Sequence, residues 1–331
     1  MRWQRAEVED ATDRRGTPFD AKMGTMSRMA PKSSKKLRAH RDASVPSPYL
    51  VSFDGDFRVR SAPHKPPREC GSDRDNEQAL ALAIEAMRKL QNRLLANNRK
   101  ALLIVFQALD AAGKDGTIKA VMSGINPAGC EVHSFKRPSD DELDHDFLWR
   151  VYNRVPERGR IGIFNRSHYE EVLIAKVHPE ILESQRLPEI PKASLLWRER
   201  YESIRDFEKH LARNGTTIVK FFLNVSKAEQ KRRLLERIDD PEANWKFEPS
   251  DVPERRNFAR YMSAFQDALN ETSRPWAPWY AVPADDKAFM RRSVAEILVD
   301  TLRKMDLHYP AAGPRERLAM ARAKRMLQSE K

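Results

Sequence analysis

Residues 101–119 read ALLIVFQALDAAGKDGTIK: an unbroken apolar run, a turn of small residues around Gly113 and Lys114, and then a helix expected to start near Thr117. The run Ala101, Leu102, Leu103, Ile104, Val105, Phe106 has no polar member, so both faces of an extended chain there need cover, as in a buried parallel strand. A strand that turns into a helix through residues with little side chain has the form of a phosphate-binding loop. Backbone N–H groups of Ala112, Gly113, Asp115 and Gly116 would close on an anion, the helix N-terminus would add its partial positive charge, and Lys114 a point charge.

The loop departs from the pattern G-x-x-x-x-G-K-[ST] at two places. Ala108 stands at the first glycine, and Asp115 replaces the Ser or Thr whose hydroxyl holds magnesium. Metal binding must then move, and Asp110, a hard oxygen ligand inside the loop, is the candidate. The same residues also fit a plain strand-turn-helix corner in which Gly113 serves only backbone freedom.

A second segment, 160–172, reads RIGIFNRSHYEEV, a buried-strand pattern that stops abruptly at Asn165, Arg166, Ser167 and His168. Ligands of open parallel sheets sit beyond the carboxyl ends of the strands, so these polar residues are expected beside Gly113. Arg166 can grip phosphate in a bidentate way, and Glu170 and Glu171 add carboxylates for a shared metal or nucleotide. Arg166 and Glu170 also match the i,i+4 spacing of an ordinary solvent-exposed pair.

Outward from these two segments the chain alternates. An amphipathic helix over 77–97 precedes the Gly113 strand. Then follow a strand at 131–135, a helix over 140–155, the strand from Ile161, a helix over 195–214 ended by Gly215, and a β-branched and aromatic strand at 217–225. Ser226 and Glu229 form the pattern of a capping box for a helix over 227–238, and a strand at 280–282 leads into a helix over 287–305. Such alternation predicts an α/β fold, three layers with helices on both faces of a mostly parallel sheet.

At this point the chain resembles the polyphosphate kinase 2 family, over roughly 79–310. The stretches that carry the likeness are LDAAGKDGTIK, FNRSHYEEV, NPAGCEVHSFKRPSDDELDHDFLWR, VKFFLNVSKAEQKRRLLER and WAPWYAVPADDK. Asn165 in Asn165-Arg166-Ser167, where other classes carry Asp, is similar to class III. The resemblance implies a P-loop kinase-like fold at 76–309 with a helical lid at about 227–260, and transfer of a terminal phosphoryl group from inorganic polyphosphate to AMP and ADP, forming ADP and ATP. It further implies Mg²⁺, with Mn²⁺ able to substitute, and a dimer or tetramer. Lys231, Arg232, Arg233 and Arg237 then become lid cations that close over the phosphates, and Lys136 and Arg137 contacts for a long phosphate chain. Lys114, Arg166 and Asp110 are the expected catalytic residues, Asn165, Ser167, Glu170 and Glu171 the nucleotide contacts, and Asp110 with Glu171 the metal ligands.

Composition fits without requiring this. The net charge of +12 favours polyanionic partners, but residues 1–41 hold eleven Lys or Arg against five acids, half of that surplus. That stretch lacks apolar periodicity and is expected to be disordered, with an irregular, proline-rich continuation to about 75 and a helical tail at 310–331. The lid region 227–260 is nearly balanced, nine basic residues against eight acidic, and also fits solvated helices with ordinary ion pairs. No apolar segment of signal or membrane-spanning length appears, so a cytoplasmic location is expected, and two cysteines at no ligand spacing support neither disulfide nor zinc. Two competitors stay open: an ATP-using nucleoside monophosphate kinase, and a polyanion-binding protein, although no nucleic-acid recognition motif is present.

Overall fold

The computed structural model describes residues 42–189 and 191–330; the stretch 1–41, expected to be disordered, lies outside them. Residues 42–64 have no helix or strand beyond a 3₁₀ turn at Val59–Ser61 and a single antiparallel bridge from Leu50 to Tyr280, yet they strap the molecule. Val51 N–H donates to Trp279 O at 2.9 Å, Ala281 N–H to Tyr49 O at 2.8 Å, and Val45 N–H to the Tyr280 hydroxyl at 2.7 Å. Val45 and Val51 are buried by this.

Helix α1 (Asp73–Asn97) starts a turn ahead of expectation because Ser72 and Asp75 form a reciprocal capping box. Strand β1 (Ala101–Ala108) leads through the loop into α2 (Lys114–Val121), which begins at Lys114 rather than Thr117. Strand β2 (Cys130–Ser134) follows. The helix expected over 140–155 is instead two single turns, Asp140–Leu143 and Trp149–Tyr152. Asp146 is the reason: its carboxylate accepts from Leu148 N–H at 2.9 Å, a local turn that competes with helical pairing.

Strand β3 (Ile161–Asn165), helix α3 (Ala193–Arg213) and strand β4 (Thr216–Asn224) match the reading to within a few residues. Helix α4 (Lys227–Asp239) opens with half of the expected capping box. Ser226 Oγ accepts from Glu229 N–H at 3.1 Å, but Asp285 takes the Ser226 N–H at 2.7 Å, and the Glu229 carboxylate turns to arginines. Helix α5 (Phe258–Thr272) was not expected, although Tyr261, Phe265 and Leu269 carry helical spacing. Strand β5 (Trp279–Pro283), helix α6 (Lys287–Lys304) and the exposed helix α7 (Pro314–Ser329) complete the order.

All strand pairs are parallel, in the order β2-β3-β1-β4-β5. Alternate residues of β1 explain why its run has no polar member: Leu102, Ile104 and Phe106 pack with α1, α2 and α6, whereas Leu103 and Val105 pack with α3 and α5. The result is the expected three-layer α/β/α arrangement. Trp279 and Tyr280 are core residues of β5. Among the described residues no helix is long and apolar enough to cross a membrane.

Candidate active site

Strands β1 and β3 are neighbours, with Phe106 opposite Asn165, so their carboxyl ends deliver the Gly113 loop and the Arg166 turn side by side. Arg166 N–H prolongs the pairing to Phe106 O at 3.2 Å. Three residues at this junction have left-handed backbones: Ala111 at φ 60°, Gly113 at 96° and Arg166 at 63°. For Ala and Arg this costs about 1–2 kcal/mol each, a strain that tends to gather where a ligand is bound. At Gly113 a Cβ would also lie 3.3 Å from Met290 Cε.

Gly113 caps α2, and among the described residues the N–H groups of Gly113, Lys114, Asp115 and Gly116 have no protein acceptor. These are the orphan donors of a helix start, the groups that an anion can satisfy. Arg166 Nη2 reaches Asp110 Oδ1 at 3.1 Å, which ties the second strand exit to the loop. Burial lowers the pKa of the half-buried Lys114 and Arg166 lowers it further, while Glu170, Asp110 and Asp115 oppose both. Burial raises Glu170 above the ordinary carboxylate value against the pull of Arg166 and Lys114. Arg166, Asp110 and Glu170 thus line one opening, roofed by Asp251, Glu254, Arg255, Phe258 and Tyr261, and Lys114 lies within electrostatic reach of all three.

Residues 70–310 match the family Polyphosphate kinase 2 (PPK2). The chain belongs to that family. It is 51% identical over 251 residues, 76% of this chain and 87% of the relative, to an ADP-polyphosphate phosphotransferase of Rhodopseudomonas palustris. It is 43% identical over 263 residues, 79% and 94% of the two chains, to an AMP/ADP-polyphosphate phosphotransferase of Meiothermus ruber. The crystal structure of Polyphosphate Kinase 2 from Arthrobacter aurescens TC1 superposes with a TM-score of 0.73 at 36% identity, over 84% of this chain and 100% of that one.

In this PPK2 chain several residues expected at the site are committed elsewhere. Glu171 is the largest departure: Arg200 Nη1 and Gln185 Nε2 hold its carboxylate at 2.9 and 2.5 Å, because the 3₁₀ turn His168–Val172 sends it to the side away from Glu170. Ala112 N–H donates to Leu109 O at 3.2 Å and is not free for an anion. Asn165 Nδ2 donates to Asp115 Oδ1 at 2.7 Å, and the buried Ser167 Oγ accepts from Gln107 Nε2 at 3.1 Å and Tyr169 N–H at 3.2 Å. All three shape the site from within.

The lid cations divide. Lys231 is exposed, Arg232 is held by Glu229 and Glu236, and Arg237 makes a long 3.4 Å contact with Asp251. Arg233 is buried and faces protein carbonyls, not the opening. Lys136 and Arg137 are exposed just past β2, one strand outward from Arg166. Sequence reasoning missed Arg291, whose Nη2 lies 3.4 Å from where a Gly116 Cβ would be, and its neighbour Lys287. Both occupy the first turns of α6 beside the loop, and their i,i+4 spacing was the available signal.

Among the described residues no three His, Cys, Asp or Glu side chains gather as a metal cluster. Mg²⁺ does not need one, since it keeps several waters and takes one or two carboxylates plus substrate phosphates. Asp110, 44% exposed with a single side-chain contact, suits that role; Glu171, clamped by Arg200, does not.

Proposed function

We propose that the protein transfers the terminal phosphoryl group of inorganic polyphosphate to AMP and ADP, forming ADP and ATP, with the Asn165-Arg166-Ser167 element supporting class III. The names of the relatives at 51% and 43% identity support it. The observation that carries the reading is the closeness of Lys114 and the unpaired amides of 113–116 to Arg166 and Asp110 at the adjoining ends of β1 and β3.

Nucleotide phosphate is already largely ionised near neutrality, its second pKa being about 6, so the acceptor needs no strong base. Alignment and charge neutralisation remain. The transition state spreads charge over equatorial oxygens, and fixed donors around them stabilise it. Lys114 and the 113–116 amides hold donor phosphates, and Arg166 meets the transferring group. Asp110 orients Arg166 and holds Mg²⁺, which Mn²⁺ can replace; when bound, the ion neutralises phosphate charge. Glu170 faces the acceptor nucleotide. Lys231 and Arg237 from the lid, with Lys136, Arg137, Lys287 and Arg291, receive the rest of the phosphate chain, and closure excludes the water that would hydrolyse it. A cytoplasmic location accords with these substrates.

The test is to incubate purified protein with Mg²⁺, AMP and long-chain polyphosphate and to follow ADP and ATP by chromatography. Both should form, and chelation of the metal should stop them. Consumption of AMP only when ATP is the phosphoryl donor would overturn the reading in favour of an ordinary nucleoside monophosphate kinase.

A further inference from the structure

Arg233 has no donor left for a phosphate. Its guanidinium carries five N–H groups, and five acceptors surround it: Nε faces Glu229 Oε1 at 2.6 Å, Nη1 faces the carbonyls of Ala112 at 2.7 Å and Ala111 at 3.4 Å, and Nη2 those of Ala284 at 2.6 Å and Asp285 at 3.1 Å. The residue is 6% exposed. Two of those carbonyls belong to the loop before Lys114, and two to the link between β5 and α6.

The carbonyl and the N–H of a trans peptide point in opposite directions. A carbonyl of Ala112 drawn toward Arg233 therefore aims the Gly113 N–H the other way, and that amide has no protein acceptor. The left-handed backbones of Ala111 and Gly113 persist only where the surroundings over-determine them. Gln230, one turn earlier on α4, grips the same loop: its Nε2 donates to Asp110 O at 3.1 Å, and its Oε1 accepts from Arg255 Nε at 3.1 Å. The root of the lid thus holds residues 110–112 in succession by their carbonyls.

We propose that Arg233 is a positioning residue for phosphoryl transfer, fixing from behind the direction in which the loop amides face the phosphate and tying that direction to the lid helix. This rests on the loop being the phosphate site. Lysine at 233 would keep charge and stem, but its three donors on one nitrogen cannot replace the five bonds that Arg233 shares between Glu229 and two separate segments.

The experiment is steady-state kinetics of Arg233→Lys with AMP, long-chain polyphosphate and Mg²⁺, beside the wild type and with folding followed by circular dichroism. We expect kcat to fall on the order of 10²-fold, as for a small misplacement of reacting groups, with both KM values within about threefold of wild type. Arg233→Ala should regain part of its turnover in millimolar guanidinium but not in methylammonium. Should these variants fail to fold, Glu229→Gln leaves all four carbonyl bonds available and loosens their anchor along with the exposed Arg232 pair; it should lower kcat about five- to tenfold at unchanged KM, and Arg232→Gln, which breaks the exposed pair alone, should not. Unchanged kcat, a loss confined to KM for polyphosphate, or a loss equal to the unfolded fraction would each overturn the proposal. An inactive wild type would instead remove the functional reading on which it stands.

Discussion

Lys114 opens helix α2 and Lys220 lies on strand β4, and burial lowers the pKa of both, Lys220 to about 8. Their partners differ. Lys220, fully buried on β4, spends its three N–H groups on Glu208 Oε2 at 2.7 Å, the Tyr169 hydroxyl at 2.8 Å and Thr272 O at 2.9 Å. Among the described residues Lys114 has no hydrogen-bond acceptor at all; Arg166, Glu170, Asp110 and Asp115 act on it through space. A buried cation whose donors are all used is part of the framework, and one held without an acceptor is kept for a ligand. A milder form of the contrast divides Arg233, with every donor used, from Arg166, whose side chain has Asp110 as its one acceptor among the described residues, and Glu171 from Glu170.

The largest effect that tests this contrast is on stability. Lys220→Met leaves Glu208 buried without its counter-ion, and should cost about 3–5 kcal/mol in urea unfolding, part of which Glu208→Gln in the same chain recovers. Turnover per folded molecule should hardly change; a stable but inactive Lys220→Met would break the contrast. Lys114→Ala should do the reverse, lowering kcat about 10²- to 10³-fold, as for loss of a preorganised charge stabiliser, with the melting temperature unchanged. Asp110→Asn comes next. A loss of about tenfold or more that excess Mg²⁺ repairs only in part is expected, whereas Glu171→Gln should spare turnover and loosen the Arg200 contact. Equal loss from the two carboxylate variants would return Glu171 to the site.

What the sequence disclosed and what it hid follow from how local each signal is. Strands β1 and β3 were legible because both faces are covered, which leaves a continuous apolar run, and the Gly113 turn because a left-handed helix cap favours glycine. The meeting of Lys114 and Arg166 followed from parallel pairing alone. Glu170 and Glu171 were not separable, since adjacent residues of a 3₁₀ turn diverge and only the turn's direction decides which one meets Arg166. Arg232 and Arg233 were separable in principle: Gln230, Arg233 and Leu234 form one buried stripe on α4 at helical spacing, with Arg232 outside it. The charge-rich text around them concealed that stripe, and also the apolar face of α5.

The smallest expected effect concerns the lid's outer arm. His178 Nε2 meets Glu254 at 2.8 Å and its Nδ1 meets Glu180 at 3.0 Å. Burial works against the imidazolium, but hydrogen bonds to these two carboxylates outweigh it and raise its pKa above the ordinary value. A pKa raised on folding gives stability that is complete below the unfolded value of about 6.5 and is lost as pH rises through the folded one. Subtracting the melting curve of His178→Asn from that of wild type should therefore leave a difference of about 1–2 °C below pH 6 that fades by about pH 8. Because Glu254 also borders the opening beside Asp110 and Arg166, the same titration reaches the roof of the site. A difference that grew with pH would mean that the neutral imidazole is the form the fold prefers, and that Glu254 is held by something other than this charge.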